Sequence, residues 1–325
     1  MTTRRNFLRT AAAGVAAAAA ARTTAAGAQP LTPVKIGAVV LGDFGVVTPT
    51  LVGIEKGYFK QNGLDAELIP FKGGPDLLKG VLSGSADIGI TGATDPLVFR
   101  ERGTTIRALA TVVEKNHFTL TVVPKVKRLE DLKGGTIGCT VVGSTTWVFA
   151  RMLAKKMNWD PEKDVRIVGV GGLDAQMAAL KRGEIQGTIF GDAGVVIEAE
   201  GAGHILMRLD ELTPQWISLI AYSTDEIIKA KRDVVGRALK SIFQGARFCR
   251  DNAGESIKIA SKAIGWPEAP TKRAYELIRP LLSTDGRMDL DAMKFMQDTL
   301  LELGVLKTRL PLTDMYTPEF TPVKL

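Results

Sequence analysis

One stretch of the chain occurs twice in similar form, at Gly73–Gly92 and at Gly171–Gly191. Both copies read Gly-Gly-x-Asp, then the pattern of a short amphipathic helix, then a glycine, then a strand that ends at a second glycine eight residues later. Glycine is common just past the end of a helix, so the first of these glycines marks a helix C-terminus. The repeat predicts two lobes built alike, and the cleft between two such lobes can hold a small molecule.

Strand-like apolar runs alternate with helices of about ten residues on both sides of residue 118. Runs at 34–41, 64–70, 88–91 and 106–113 predict four strands, and the pattern restarts after Leu129. This alternation indicates an α/β fold in which each lobe is a mainly parallel sheet flanked by helices.

Two apolar, β-rich runs, 118–123 and 216–223, predict the strands that cross between the lobes. The chain after residue 224 has mostly helical spacing and no strands of its own, so we expect it to pack on the first lobe. The predicted division is therefore residues 29–118 together with 224–325 for lobe 1, and residues 119–223 for lobe 2.

The first 28 residues have the pattern of a twin-arginine export signal. Arg4 and Arg5 precede an uncharged, alanine-rich run, and the segment ends in an A-x-A cleavage site at Ala28. A membrane anchor is the alternative, but the uncharged run is about a dozen residues long and a membrane span needs about 20. We expect cleavage of residues 1–28 after about Ala28 and a periplasmic location for the mature protein.

Composition excludes several classes of function. The signal contains four arginines and no acidic residue, so its removal lowers the net charge from +7 to +3, too little to indicate a nucleic-acid or membrane-surface partner. Cys139 and Cys249 lie far apart without metal-ligand spacing, and we expect both to be buried small hydrophobes. The chain has no HExxH, CxxC, Gly-x-Ser-x-Gly or phosphate-loop motif. We therefore expect no enzyme, no cofactor and no metal.

Glycine-rich turns between strands and helices are the best candidates for a binding site, because ligands of open parallel sheets bind beyond the carboxyl ends of the strands. The two hydroxyls of Ser144 and Thr145 at a helix start suit an anionic oxygen, although either residue could simply cap its own helix. Asp95 and Asp192 could contact ligand or cap helices. Phe44 and Trp147 could be aromatic walls or ordinary core. His117 precedes the first crossing strand, at the expected floor of the cleft. The candidate ligand-binding residues are Gly42, Asp43, Phe44, Gly73, Gly74, Thr94, Asp95, His117, Gly143, Ser144, Thr145 and Asp192.

Five segments resemble the periplasmic substrate-binding proteins of the nitrate, sulfonate and taurine group, which includes pyrimidine-precursor binders. They are 53–65, 70–74, 82–92, 129–135 and 179–187. The resemblance implies a type II periplasmic binding protein, monomeric, that delivers a small solute to an inner-membrane ABC permease and its ATPase. The solute classes it leaves open are sulfonate, taurine, nitrate, carboxylate and aromatic or pyrimidine compounds.

Relatives that bind sulfonates or pyrimidines often have an aromatic residue and a proline after the second-lobe strand. This chain has Phe190 followed by Gly-Asp-Ala-Gly and no proline, which argues against those two ligand classes and leaves carboxylates and aromatic acids open. The alternative function is an enzyme on the same scaffold, similar to the thiamine-pyrimidine synthases. Those enzymes use a cysteine-rich motif and a reactive histidine, which this sequence does not offer.

Overall fold

A computed structural model describes residues 30–39 and 42–325. The predicted export signal, residues 1–28, lies outside the described residues. Within the described part, no helix has the length and apolar character needed to cross a membrane.

Ten strands of the described residues form two five-stranded sheets. In chain order they are β1 (Thr32–Val39), β2 (Leu64–Phe71), β3 (Ile88–Gly92), β4 (Ile106–Val113), β5 (Thr119–Val122), β6 (Thr136–Cys139), β7 (Arg166–Gly169), β8 (Gly187–Phe190), β9 (His204–Arg208) and β10 (Leu219–Thr224). The order across the first sheet is β2-β1-β3-β10-β4, and across the second it is β7-β6-β8-β5-β9.

The helices of the described residues flank these sheets. They are α1 (Phe44–Glu55), α2 (Tyr58–Gln61), α3 (Gly74–Leu82), α4 (Thr94–Glu101), α5 (Thr145–Lys156), α6 (Leu173–Lys181), α7 (Gly194–Ala199), α8 (Asp225–Ala230), α9 (Arg232–Asp251), α10 (Ala253–Ile264), α11 (Glu268–Ile278), α12 (Leu290–Glu302) and α13 (Leu312–Met315). We call the first sheet with α1–α4 and α8–α13 lobe 1, and the second sheet with α5–α7 lobe 2.

The two sheets have the same topology. In lobe 1, β1 pairs in parallel with β2 and β3, and β10 runs antiparallel between β3 and β4. In lobe 2, β6 pairs in parallel with β7 and β8, and β5 runs antiparallel between β8 and β9. The repeated segment of the sequence forms α3–β3 in one lobe and α6–β8 in the other, so it occupies equivalent places. The predicted α/β architecture with two similar lobes is confirmed.

The chain leaves lobe 1 after β4 and enters lobe 2 at β5, close to the predicted point. The return differs from the prediction. The run predicted to cross, 216–223, consists largely of β10, which pairs with β3 and β4 inside the first sheet. The chain is thus back in lobe 1 by Leu219, several residues before the predicted boundary at 223. A buried apolar strand has the same sequence pattern whichever sheet it joins, because its partners are distant in sequence.

The C-terminal helices pack on lobe 1, as predicted, with α9 and α10 against α1. Helix α1 is buried along most of its length, because it lies between the sheet and these helices. Gly245 of α9 permits the close crossing, since a Cβ there would overlap the carbonyl oxygen of Pro49. This packing fixes the N-terminus of α1 at the edge of the sheet that faces lobe 2.

Candidate functional site

A cleft lies where the carboxyl ends of strands from the two lobes face each other, and it has about 400 Å³ of unfilled space, its open mouth included. We call it the inter-lobe cleft. It is lined by Val39, Asp43, Val46, Gly73, Gly74, Thr91, Gly92, Asp95, Phe118, Thr140, Ser144, Thr145, Thr146, Phe190, Gly191 and Leu219.

Asp95 projects into this cleft from lobe 1. Strand β3 ends at Gly92 and α4 begins at Thr94, so Asp95 lies in the first helical turn just beyond the strand. Its carboxylate accepts hydrogen bonds from the hydroxyl of Thr91 at 2.7 Å and from the hydroxyl of Thr145, in lobe 2, at 2.9 Å. Asp95 is 2% exposed. Burial raises the pKa of Asp95 to about 6, although these hydrogen bonds oppose the shift.

Glycines of the repeat make room for this carboxylate and its partner. A Cβ at Gly74 would overlap the carboxylate of Asp95, and a Cβ at Gly92 would overlap the side chain of Thr145. The close approach of Thr145 across the cleft therefore depends on the absence of a side chain at Gly92, and Gly74 leaves room for Asp95 within lobe 1. This explains why a strand ending in glycine and a Gly-Gly turn lie next to the site.

Asp192 makes the corresponding contact in the opposite direction, from lobe 2 to lobe 1. Its two carboxylate oxygens accept the backbone N–H groups of Phe44 and Gly45, each at 2.9 Å. These N–H groups belong to the first turn of α1 and have no partner within the helix. Burial raises the pKa of Asp192 well above its usual range, and the nearby Asp43 carboxylate raises it further. Each lobe thus supplies a carboxylate to the first turn of a helix in the other.

His117 connects this contact to the crossing segments. One ring nitrogen lies 2.5 Å from the hydroxyl of Ser218 on the returning segment, and the other lies 3.2 Å from Asp43. Three buried side chains here, those of Asp43, His117 and Asp192, each have one possible metal-ligand atom within 4.8 Å of the other two. Among the described residues, this cluster has the donor types that a metal site uses. Their polar atoms already have partners within the protein, including the N–H of Val46 for Asp43. We assign these three residues to the contact that holds the two lobes together, and we infer no bound ion among them.

The hydrogen bonds of the turn at Ser144 and Thr145 differ from those of the predicted anion site. The hydroxyl of Ser144 accepts the N–H of Trp147 at 3.4 Å and so caps its own helix, the alternative that the sequence left open. It also lies 3.0 Å from the hydroxyl of Thr140 and 2.9 Å from that of Thr146. The hydroxyl of Thr145 is donated to Asp95. The turn therefore faces the cleft with hydroxyls that are already engaged.

The structure brings six of the twelve candidate residues to the wall of the cleft: Asp43, Gly73, Gly74, Asp95, Ser144 and Thr145. Gly42 lines a separate cavity, which it shares with Lys72 and Trp266. The residues Thr94, His117, Gly143 and Asp192 do not line the cleft, and His117 lines a third cavity.

Phe44 does not form an aromatic wall of the cleft but belongs to the core, the alternative that the sequence left open. Its ring is completely buried and packs edge-on against Tyr275 of α11, with ring centroids 5.9 Å apart. Only its backbone N–H faces lobe 2. Trp147 also lies away from the cleft, with the guanidinium of Arg151 over its ring. At a helix start the side-chain direction depends on how the helix is packed, which the local sequence does not fix.

The sequence-based candidates did not include the residues that form the apolar walls of the cleft. They are Val39, Val46, Phe118, Phe190 and Leu219, and Thr91 and Thr146 add polar atoms. Four of these residues lie at or next to the end of a strand. The rule that ligands bind at strand ends therefore pointed to them, but such apolar residues were indistinguishable from core.

Comparisons with known proteins agree with this architecture. The family described as NMT1/THI5 like matches residues 45–256, which is more than half of the chain. The protein YtlA of Bacillus subtilis (strain 168), named as a candidate binding protein, is 22% identical over 243 residues, covering 72% of this chain and 71% of YtlA. The formylaminopyrimidine-binding protein of Halalkalibacterium halodurans is 21% identical over 212 residues, 64% of each chain.

Among solved structures, the alkanesulfonate-binding protein SsuA of Xanthomonas axonopodis pv. citri superposes with a TM-score of 0.76. The match covers 88% of this chain and 98% of that one at 18% identity, so it shows the fold and not the ligand. The two sheets of identical strand order, the cleft between them and the extent of the family match lead to one conclusion. This chain belongs to the NMT1/THI5-like family and has the two-lobed fold of periplasmic binding proteins.

Proposed function

We propose that this protein is the solute-binding component of an ABC importer. It acts as a monomer outside the cytoplasmic membrane, captures a small solute in the inter-lobe cleft and delivers it to a permease and its ATPase. The observation that carries the proposal is that the cleft has walls from both lobes. Because Asp95 and Asp192 each bond to the opposite lobe, closing the lobes and completing the site are the same event.

The geometry favours closure on a ligand over catalysis. The reactive groups that an enzyme of this scaffold needs are not gathered in the cleft: Cys139 and Cys249 are both buried, and burial raises the pKa of each thiol to about 12. A thiol with such a pKa is a poor nucleophile and a poor metal ligand at neutral pH. The predicted alternative, a thiamine-pyrimidine-synthase-like enzyme, therefore gains no support from these residues.

The test is ligand-dependent stability and closure. The protein is first unfolded in denaturant and refolded by dialysis, which releases solute acquired during expression. A solute that binds only the folded state stabilises it by about 2.7 kcal/mol at a hundredfold excess over Kd. We expect some member of a panel of small amines, pyrimidines, carboxylates and sulfonates to raise the melting temperature, and small-angle scattering to show a smaller radius of gyration with that member.

Two controls separate a receptor from an enzyme. After incubation, mass spectrometry should recover the bound solute chemically unchanged, whereas turnover would contradict the proposal. In liposomes containing the cognate permease and ATPase, the loaded protein should stimulate ATP hydrolysis more than the unloaded protein does. The absence of any ligand-induced stabilisation or compaction across the panel would count against a receptor.

A further inference from the structure

We propose that the solute binds through a protonated nitrogen, an ammonium or amidinium group, that pairs with the carboxylate of Asp95. The inference rests on the proposed receptor function and adds the chemical class of its ligand. Such a group supplies the positive charge and the N–H donors that the cleft lacks. The inter-lobe cleft then selects small organic cations over oxyanions of the same size.

The charge of the lining is the first reason. Of the sixteen lining residues, Asp43 and Asp95 carry ionisable side chains, and none is lysine or arginine. Lys72, which precedes the lining residue Gly73, lines a neighbouring cavity with Gly42 and Trp266. A sulfonate, nitrate or carboxylate in the cleft would lie beside buried carboxylates without a basic side chain to balance it.

The second reason is that two helix N-termini at the cleft, those of α1 and α5, already bind groups of the protein. Such N-termini are ready-made anion sites. At α1, the first N–H groups bond to Asp192 and Asp43. At α5, the hydroxyl of Ser144 caps the helix, while Thr145 donates its hydroxyl to Asp95. An oxyanion would have to displace a carboxylate of the protein itself from these positions.

The third reason is that Asp95 has no cationic partner among the residues that the structure describes. The groups that oppose the effect of burial on its pKa are the hydroxyl of Thr91 and the hydroxyl and backbone N–H of Thr145, all neutral donors. Burial raises the pKa of Tyr222, and the charge of Asp95 raises it further; the neutral hydroxyl of Tyr222 has no hydrogen-bond partner among the described residues. A carboxylate can accept about four hydrogen bonds, so Asp95 retains the capacity to receive donors from a ligand.

The apolar walls indicate the rest of the ligand. Phe118 and Phe190 come from lobe 2 and its entry segment, and Val46 and Leu219 come from lobe 1. Aromatic faces attract cations, and apolar walls stabilise a hydrocarbon or heteroaromatic body. The ligand class is therefore a small amine or amidine with a compact apolar body.

Matched probes test this inference. Benzylamine and benzamidine carry a cationic group on a phenyl ring, and benzoate and benzenesulfonate carry an anionic group on the same ring. We expect isothermal titration calorimetry on the refolded protein to show binding of the cations only. Asp95→Asn should weaken cation binding by about 10- to 100-fold, the loss typical of a hydrogen bond to a charged group. Asp65→Asn, which changes an exposed carboxylate on β2, should leave the affinity within about twofold.

The outcomes distinguish the ligand class from the receptor function. Binding of benzoate or benzenesulfonate that is unchanged or tighter in Asp95→Asn would overturn the cation assignment and leave the receptor function standing. Equal losses in Asp95→Asn and Asp65→Asn would also overturn it. Solute released from natively purified protein gives an independent reading: a base detected by mass spectrometry supports the inference, and an acid contradicts it. If no probe binds and no solute is released, both proposals fail.

Discussion

Replacing Asp95 by asparagine should make the ligand-free protein more stable above pH 6. Its carboxyl group is buried with no cation beside it in the described part of the chain, and burial raises its pKa from 3.8 to about 6. Between these values the folded state binds the proton and the unfolded state does not. The stabilisation that this proton provides is therefore complete below about pH 3.8 and is lost as the pH rises through about 6.

The size of the effect follows from the shift. A change of about two pKa units corresponds to about 3 kcal/mol between the low-pH and high-pH limits, of which about half is lost between pH 5 and pH 7.5. Asparagine keeps one acceptor oxygen, and the hydroxyls of Thr91 and Thr145 can turn to accept from its amide. The rearranged hydrogen bonds cost about 1 kcal/mol. The net expectation is a gain of about 2 kcal/mol at pH 7.5 and about 0.5 kcal/mol at pH 5.

Urea unfolding followed by tryptophan fluorescence measures this difference at both pH values, on refolded protein without ligand. Other groups titrate over the same range, but their contributions cancel in the difference between the variant and the parent protein. Asp65→Asn is the control, and its stability relative to the parent should not change between pH 5 and pH 7.5. A stability difference for Asp95→Asn that is equal at the two pH values, or a destabilisation at pH 7.5, would refute the reasoning.

Three other predictions concern closure and binding. Asp192→Ala leaves two N–H groups of α1 without their acceptors and removes a contact between the lobes, so we expect a larger radius of gyration by small-angle scattering; an unchanged radius would contradict the role of Asp192 in holding the lobes together. Gly92→Ala places a Cβ against Thr145 of the opposite lobe and should weaken ligand binding in calorimetry more than about tenfold. Gly254→Ala, where a Cβ has open space, is its control, and equal affinities in the two variants would argue against a closed binding state. Benzylamine affinity should rise about tenfold from pH 5 to pH 7.5, as Asp95 with its pKa of about 6 loses its proton, and a flat titration would exclude Asp95 as the partner.

Much of the fold could be predicted from the sequence because its signals are local. The apolar run at 34–41 and the glycines that end helices each depend on a few neighbouring residues. The repeat at Gly73 and Gly171 then links two such local patterns to one topology. The return strand was misplaced because β10 and a crossing strand share the same apolar pattern, and hydrogen bonds to β3 and β4 decide between them.

The site was less accessible to sequence reasoning. The turns at Asp43, Gly73, Asp95 and Ser144 were found because strand ends and glycines are visible in the sequence. The direction of the Phe44 ring was not, since it depends on the packing of α1 against α11. The expectation of an anion at Ser144 and Thr145 considered the helix N-terminus alone, without the carboxylate that arrives from the other lobe.

Two similar α/β lobes follow from the sequence alone, because a repeated helix and strand with the same glycines build the same local structure twice. The groups that the lobes present to each other depend on the tertiary fold. Asp192 reaches the N–H groups of Phe44 and Gly45 across almost 150 residues of chain, and Thr145 reaches Asp95 across 50. Contacts over such separations depend on how the two sheets are oriented, which no local pattern of residues encodes. These contacts already occupy the first turns of α1 and α5, and the group that we propose for the cleft is therefore a cation.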